Sequence, residues 1–123
     1  MNDKTVEQEI QDKGLTAPRV TPADIEDQII GEVCFTAHQG FMGALAADGV
    51  NPEGLDTPDD LSLLTFCVLT LRNGYTVTGE SACASPENFD AQLGRRIARQ
   101  NAVAKIWPLL GYALREKLAA GIK

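Results

Sequence analysis

The chain has 123 residues, a net charge of −6, 44% hydrophobic residues and 23% charged residues. That length suits one small domain, and this hydrophobic content excludes a wholly disordered chain. No stretch approaches the roughly 18 apolar residues that a membrane span needs, which argues against a membrane protein. The polar, acidic start lacks the apolar core of a signal peptide, so we expect a cytoplasmic protein.

The charge is unevenly divided along the chain. Residues 1–60 carry 13 acidic and 3 basic side chains, a net −10, whereas residues 61–123 carry 4 acidic and 8 basic ones, a net +4. An acidic total argues against general DNA binding, which needs a broad basic surface to displace counterions. The basic half still permits a small anionic ligand, or an acidic patch on a partner or on a second copy.

The residue types that bind metals are sparse. The three cysteines, Cys34, Cys67 and Cys83, are widely spaced, and His38 is the only histidine. A zinc site takes about four ligands in close clusters, so we expect no metal and no cofactor. In a reducing cytoplasm the cysteines are expected to be buried free thiols.

The N-terminal part of the chain predicts a tail followed by a helix. Residues 1–20 are polar and are interpreted as a flexible tail, with a short helix over 3–13 as the alternative. Residues 21–123 then form a single domain. Thr21 followed by proline is typical of a helix start, and Gly31 is expected to end or weaken that helix.

The next segment predicts a strand and a long loop. Residues 32–37 are expected to form a strand, and residues 40–47 are small and apolar, which fits either a helix or a buried loop. Residues 48–60 alternate glycine and proline with acidic residues, which indicates a loop.

The clearest local signal is a β-hairpin. An apolar run over 63–71 and a second strand over 75–83 flank Asn73-Gly74, which predicts a two-residue type I′ turn. Such a turn fixes the register. The predicted opposite pairs are Arg72 with Tyr75, Thr70 with Val77, Leu69 with Thr78, Val68 with Gly79 and Cys67 with Glu80.

In that register Cys67 and Cys83 point to opposite faces of the hairpin, so no disulfide is expected. Both faces carry apolar side chains. We therefore expect helices or a second subunit to cover them, and we expect a homo-oligomer.

The C-terminal part predicts two helices. Ser85-Pro86 is typical of a helix start, and the helix is expected to run to about Ile106. Pro108 should break or kink it, leaving a final helix over 109–118. The predicted apolar stripe of the long helix consists of Phe89, Leu93, Ile97, Ala104 and Trp107.

Two sets of side chains suit an anionic ligand. Arg95, Arg96 and Arg99 either form a solvated helix face or bind an anion, since two guanidiniums on one face can hydrogen-bond to phosphates. Arg72 and Tyr75 are either a cross-strand cation–π contact or a positive charge beside a stacking ring, which suits a nucleotide. No nucleophile–base pair and no glycine-rich phosphate loop is visible, so the sequence does not indicate an enzyme.

Several motifs follow one another between residues 65 and 114. They include Asn73-Gly74-Tyr75-Thr76-Val77, Pro86-Glu87-Asn88-Phe89-Asp90, Gly94-Arg95-Arg96-Ile97-Ala98 and Ile106-Trp107-Pro108-Leu109. This string resembles the small phage proteins of the gp-forty-nine/sixty-six-like family, and the resemblance extends over roughly residues 21–118.

The chain is also similar to the first type of Thoeris anti-defence protein. Those phage proteins are sponges: they bind cyclic nucleotide signals of bacterial Thoeris, and in some cases CBASS, defence and release them unchanged. The resemblance implies an oligomeric phage protein of the host cytoplasm. It implies that Tyr75 and Phe89 are candidates for stacking on a base, and that Arg95 and Arg99 are candidates for binding phosphates.

We therefore expect an α+β fold in which an antiparallel β-hairpin packs against C-terminal helices. The leading hypothesis is sequestration, without degradation, of a cyclic nucleotide signal such as a cyclic ADP-ribose isomer or a cyclic dinucleotide. The alternative is a phage accessory protein that inhibits a host protein through protein–protein contacts, and an enzyme that cleaves the messenger is a third hypothesis. The candidate ligand-binding residues are Arg95, Arg99, Arg96, Tyr75, Phe89 and Arg72.

Overall fold

The computed structural model describes residues 3–15 and 17–122. The elements in chain order are α1 (Asp3–Asp12), α2 (Pro22–Gln28), β1 (Ile29–Thr36), α3 (Ala37–Ala47), a 3-10 turn (Asp59–Leu63), β2 (Leu64–Leu71), β3 (Thr76–Ala82), a second 3-10 turn (Pro86–Asn88) and α4 (Ala91–Ala119). The strands form an antiparallel sheet in the order β1-β2-β3, and α4 packs across one of its faces. The predicted α+β class is confirmed.

Two capping boxes set the start of α2 and of α3. The hydroxyl of Thr21 accepts from the backbone N–H of Asp24, whose carboxylate accepts from the N–H of Thr21. Thr36 and Gln39 make the same reciprocal pair at α3. The predicted helix start at Thr21 is confirmed. Residues 40–47, for which a helix and a buried loop were the two alternatives, are helical. The first strand begins at Ile29, three residues earlier than expected, and it follows α2 directly.

The hairpin is present, but its predicted register is wrong by one residue. The N–H of Gly74 donates to the carbonyl of Leu71 over 2.8 Å, and the N–H of Leu71 donates to the carbonyl of Tyr75 over 2.8 Å. Gly74 has a φ of +89°, whereas Asn73 does not have a positive φ. This is a three-residue connection with one left-handed glycine, not the two-residue type I′ turn that needs two positive φ values.

The corrected register changes which side chains share a face. Cys67 lies opposite Gly79, and Leu69 lies opposite Val77. The predicted register had placed the polar residues Glu80 and Thr78 at those positions. The observed pairing instead brings the apolar side of each strand to the face that α4 covers, which is what a buried face requires.

The long helix starts later than expected and does not end at its proline. Pro86–Asn88 is a separate 3-10 turn, and α4 begins after Asp90, whose carboxylate accepts from the N–H of Leu93 over 3.0 Å. The predicted break at Pro108 is wrong, because one helix runs from Ala91 to Ala119. Pro108 removes one backbone hydrogen bond, but buried Ile106 and the neighbours Trp107 and Leu110 pack against the core and hold the helix together.

The predicted apolar stripe of α4 is also wrong. The helix faces the sheet with small side chains: Ala98 and Ala102 are fully buried, whereas Leu93 and Ile97 are exposed. Gly79 is the reason, because a Cβ at this position would collide with the backbone of Ala98 and Ala102. The glycine lets helix and strand approach until their backbones touch. The buried core is made of Ile25, Cys67, Leu69, Leu71, Val77, Ala98, Ala102 and Ile106.

Residues 3–12 form α1, so the alternative of a short helix over 3–13, and not the flexible tail, is correct for this segment. The helix has no buried residue of its own. Arg19 forms an ion pair with Glu7, and the indole Nε1–H of Trp107 donates to Asp3 over 3.1 Å. Polar contacts therefore hold α1 against the rest of the molecule. None of the described helices is long and apolar enough to cross a membrane.

Candidate functional site

The candidate ligand-binding residues lie at two ends of the sheet. Arg72 and Tyr75 lie at the hairpin turn, beside Leu71, whereas Phe89 and Arg95 lie near Thr65 at the other end of β2. Six residues of strand separate the two ends, which is about 20 Å at roughly 3.4 Å per residue. Within one chain the two aromatic candidates cannot contact the same small ligand.

Arg72 contacts α2 rather than its predicted partner Tyr75. Its Nε donates to the backbone carbonyl of Asp27 over 2.6 Å, and its Nη2 lies 3.2 Å from the carboxylate of the same residue. The guanidinium therefore ties the hairpin turn to the end of α2. Tyr75 is 56% exposed, so its ring remains accessible at this end.

Arg99 is engaged by two carboxylates. Its Nε donates to Glu32 of β1 over 2.6 Å, and its Nη1 and Nη2 donate to the two oxygens of Glu26 of α2 over 3.0 and 2.9 Å. The hydrogen bonds from Glu26 and Glu32 raise the pKa of Arg99, and the hydrogen bonds from Arg99 lower the pKa of Glu26. We name these three residues the Arg99 clamp. It joins α4, α2 and β1, and it leaves few free donors for a phosphate.

Arg95 lies one turn earlier on α4 and has a different environment. Among the described residues, no carboxylate lies within ion-pair distance of Arg95 or of its neighbour Arg96. Arg95 lines a small cavity between β1, β2 and the start of α4, with a volume of about 100 Å³. We name this the Arg95 cavity. Its other lining residues are Cys34, Phe35, Thr36, Gln39, Thr65, Phe89 and Ala91.

Phe89 is half-buried between two cavities. It lines the Arg95 cavity and also a second cavity of about 130 Å³, which reaches Ser81 and Cys83 at the end of β3 and Leu93 in the first turns of α4. Thr65, which is only 2% exposed, lines both as well. The structure thus brings together an aromatic ring and an unpaired guanidinium, Phe89 and Arg95, from the predicted set.

The start of α4 adds backbone donors to this end of the molecule. The Asp90 carboxylate accepts from the N–H of Leu93, and the Asp90 carbonyl accepts from the N–H of Gly94. The N–H groups of Ala91 and Gln92 have no partner within the helix, as in the first turn of any α-helix. They and Arg95 favour an anion here, whereas the Asp90 carboxylate partly offsets that potential.

Sequence reasoning did not find several residues of this region. Cys34, Thr36 and Gln39 reach the cavity because β1 pairs with β2 beside α4, and only the signal of a strand at 32–37 pointed that way. Trp107, interpreted as core, lines an open cleft of about 650 Å³ under α1 with Asp3, Lys4, Glu26, Arg99, Gln100, Val103 and Ala104. That cleft mixes both charges, so it suits a phosphate less well than the Arg95 cavity does.

A metal site requires several ligating side chains placed close together. Among residues 3–15 and 17–122, no group of three or more His, Cys, Asp or Glu side chains is placed to hold a metal ion. The Nδ1 atom of His38 is buried without a hydrogen-bond partner in this part of the chain, and no cavity that we describe includes it.

A protein-family model matches most of the chain. The model of the phage protein (N4 Gp49/phage Sf6 gene 66) family matches residues 20–118, which include the hairpin, the Arg95 cavity and nearly all of α4. Comparisons with curated proteins and with solved structures find no match. The match covers most of the chain, and we conclude that the chain belongs to the N4 Gp49/phage Sf6 gene 66 family of phage proteins.

Proposed function

We propose that this phage-family protein sequesters an anionic cyclic nucleotide that signals in bacterial defence, and that it releases this molecule unchanged. The observation that carries the proposal is the pairing of Phe89 with Arg95 in one cavity, where Arg95 has no carboxylate partner among the described residues. A cyclic nucleotide presents phosphate charge and a flat base, and a guanidinium beside an aromatic ring complements both.

The two arginines next to each other on α4 divide the work in this proposal. Both side chains are exposed, but Arg95 lines the cavity, whereas Arg96 does not and adds positive potential beside it. The free N–H groups at the start of α4 lie at the same end and suit a phosphate. Arg99 is not assigned a direct contact here, because the Arg99 clamp already uses its donors.

The size of the cavity argues for a second copy of the chain at the site. Ligand pockets typically enclose about 300–1,000 Å³, whereas the Arg95 cavity measures about 100 Å³. A second subunit placed over the mouth of the cavity would complete a pocket of the needed size. We therefore propose a homo-oligomer, and light scattering that finds a particle of 13.2 kDa at micromolar concentration would contradict this part of the proposal.

The test is a capture-and-release experiment. The protein is mixed with a panel of cyclic dinucleotides and cyclic ADP-ribose isomers, freed of unbound ligand, denatured by heat, and the supernatant is analysed by mass spectrometry. Sequestration predicts release of one intact panel member. Release of a cleaved molecule would instead indicate an enzyme, and release of nothing by the wild type would contradict the proposal.

A matched pair of variants then locates the site. Arg95→Ala should weaken binding about tenfold to a hundredfold, because losing a charged hydrogen-bonding partner costs about 1.5–3 kcal/mol. Arg115→Ala removes an arginine from the far part of α4 and should bind as the wild type does. Equal affinities for the two variants, measured by calorimetry, would place the ligand elsewhere.

A second candidate function rests on the opposite face of the sheet. Val33 is 60% exposed and lies opposite Val68 on the face that α4 does not cover, and Ile30 in the same strand is 58% exposed. An exposed apolar surface suits contact with another protein, which is the host-inhibition alternative. This function would be favoured if the wild type binds no nucleotide but binds a host protein, and if the Val33→Asp variant no longer binds that protein.

A further inference from the structure

Two of the three cysteines meet on the sheet. Cys34 of β1 lies directly opposite Cys67 of β2, so their side chains share one face of the sheet. Residues directly opposite in an antiparallel pair have Cα atoms about 4.5–5.5 Å apart, which falls inside the span of about 4.4–6.8 Å that disulfides bridge. The Cα separation expected for this pair therefore lies within the range that a disulfide spans.

The two thiols differ in access. Cys67 is 0% exposed, whereas Cys34 is half-buried and lines the Arg95 cavity. Burial, and then the neighbouring Cys34 thiol, raises the pKa of Cys67 to about 12. The thiolate is the nucleophile that attacks an oxidant, so a small oxidant that enters through the cavity reacts with the accessible Cys34 and not with the buried Cys67.

We propose that Cys34 and Cys67 form a reversible disulfide when the folded protein meets a two-electron oxidant such as hydrogen peroxide. The peroxide transfers one oxygen to the Cys34 sulfur, giving a sulfenic acid and one water. The Cys67 sulfur then attacks the Cys34 sulfur, the S–S bond forms, and the hydroxyl leaves with the Cys67 proton as a second water. A dithiol reductant restores both thiols.

The third cysteine makes the proposal selective. Cys83 follows β3, where its N–H donates to the carbonyl of Leu63 and its thiol donates to the carbonyl of Ser85. Cys67 lies four residues after Leu63, about 14 Å away at roughly 3.4 Å per residue, so Cys67 is too far from Cys83 for a bond. In the unfolded chain a Cys67–Cys83 bond is favoured over a Cys34–Cys67 bond, because Cys67 and Cys83 close the shorter loop.

The experiment compares pairing in the folded and unfolded chain. The full chain is treated with hydrogen peroxide, remaining thiols are alkylated, and the linkage is mapped by mass spectrometry of peptides. The folded protein should lose two of its three titratable thiols, link Cys34 to Cys67, and recover both in dithiothreitol. The chain treated in guanidinium chloride should favour Cys67 with Cys83 instead.

Variants separate the sulfur atoms. Cys83→Ser should form the disulfide as the wild type does, whereas Cys34→Ser should not. Cys34 is half-buried, so this variant keeps the core intact, unlike a change at buried Cys67. Three thiols remaining after oxidation, a sulfinic acid at Cys34 without a cross-link, or a Cys67–Cys83 linkage in the folded protein would each overturn the proposal.

Discussion

The two faces of the sheet are built from the same strands, yet they differ in how closely they are packed. The face that carries Cys67, Leu69 and Val77 is buried beneath α4. The opposite face carries Val33 and Thr78, both exposed. The difference arises because Gly79 lets the helix backbone touch one face. Stability is therefore concentrated on the covered face, which leaves the open face free to vary.

The largest expected effect comes from the closest contact on the covered face. Gly79→Ala should destabilise the protein by about 3 kcal/mol or more, because the added methyl group meets helix backbone that cannot rotate away. Gly111→Ala on α4 is the control, since nothing lies near its added Cβ. That change should stabilise the helix by about 0.5–1 kcal/mol. Urea unfolding of the two variants checks the contrast, and an unchanged midpoint for Gly79→Ala would refute the packing.

Truncation of apolar side chains should separate the two faces. Leu69 is 0% exposed, so Leu69→Ala should cost about 2–5 kcal/mol. Val33 is 60% exposed, and Val33→Ala should stay within about 0.5 kcal/mol of the wild type. Thermal unfolding measures both. Similar losses at the two positions would mean that the open face is covered in solution, as it would be by a second copy of the chain.

The Arg99 clamp lies at the margin of the covered face and should contribute less. Arg99→Ala should cost about 1 kcal/mol at neutral pH, because all three side chains of the clamp are partly exposed to water. Arg95→Ala, one turn away without an ion pair among the described residues, should change stability by less than about 0.5 kcal/mol. A larger loss for Arg95→Ala than for Arg99→Ala would contradict the division of roles between the two arginines.

The clamp also predicts a pH dependence. Arg99 lowers the pKa of Glu26 below its ordinary value of 4.5. The contribution of Glu26 to stability is therefore present at neutral pH and is lost as the pH falls through its lowered folded-state pKa. The stability difference between wild type and Arg99→Ala should shrink as unfolding is followed below pH 4.5. A difference that stays constant with pH would show that the clamp acts through packing alone.

The sequence predicted local features well and packing features poorly. The cap at Thr21 and the hairpin at Asn73-Gly74 depend on neighbouring residues, and both are present. The predicted register was wrong because an Asn-Gly pair fits two turns. A type I′ turn would need a positive φ at Asn73 and at Gly74, whereas in the observed turn only Gly74 has one. The predicted buried side of α4 was wrong because Leu93 and Ile97, which are exposed, are larger and more apolar than the alanines that face the sheet.

The thiols show how a correct expectation can rest on a wrong reason. The three cysteines are free, as predicted, but only Cys67 is buried, whereas Cys34 and Cys83 are half-buried. The argument from opposite faces also does not hold in the observed register. Cys34 and Cys67 lie directly opposite each other and share a face of the sheet. Nothing local in the sequence marks this contact, because it depends on the pairing of β1 with β2.

The candidate site was predictable in part for the same reason. Phe89 and Arg95 are close in the chain, and the structure brings them to one cavity. The partners of Arg99 lie 67 and 73 positions earlier in the chain, so no local pattern showed that its charge is balanced. Tyr75 and Arg72 are separated from the cavity by the length of a strand, which only the fold determines.

The contact at Gly79 has an evolutionary consequence. An added Cβ at this position meets the carbonyl oxygen of Ala98 and the amide nitrogen of Ala102, which are backbone atoms. No substitution at positions 98 or 102 can remove a backbone atom, so no second mutation on the helix compensates for a side chain at position 79. Among relatives that keep this helix on this sheet, we expect glycine to be invariant at position 79, while residues of the open face drift.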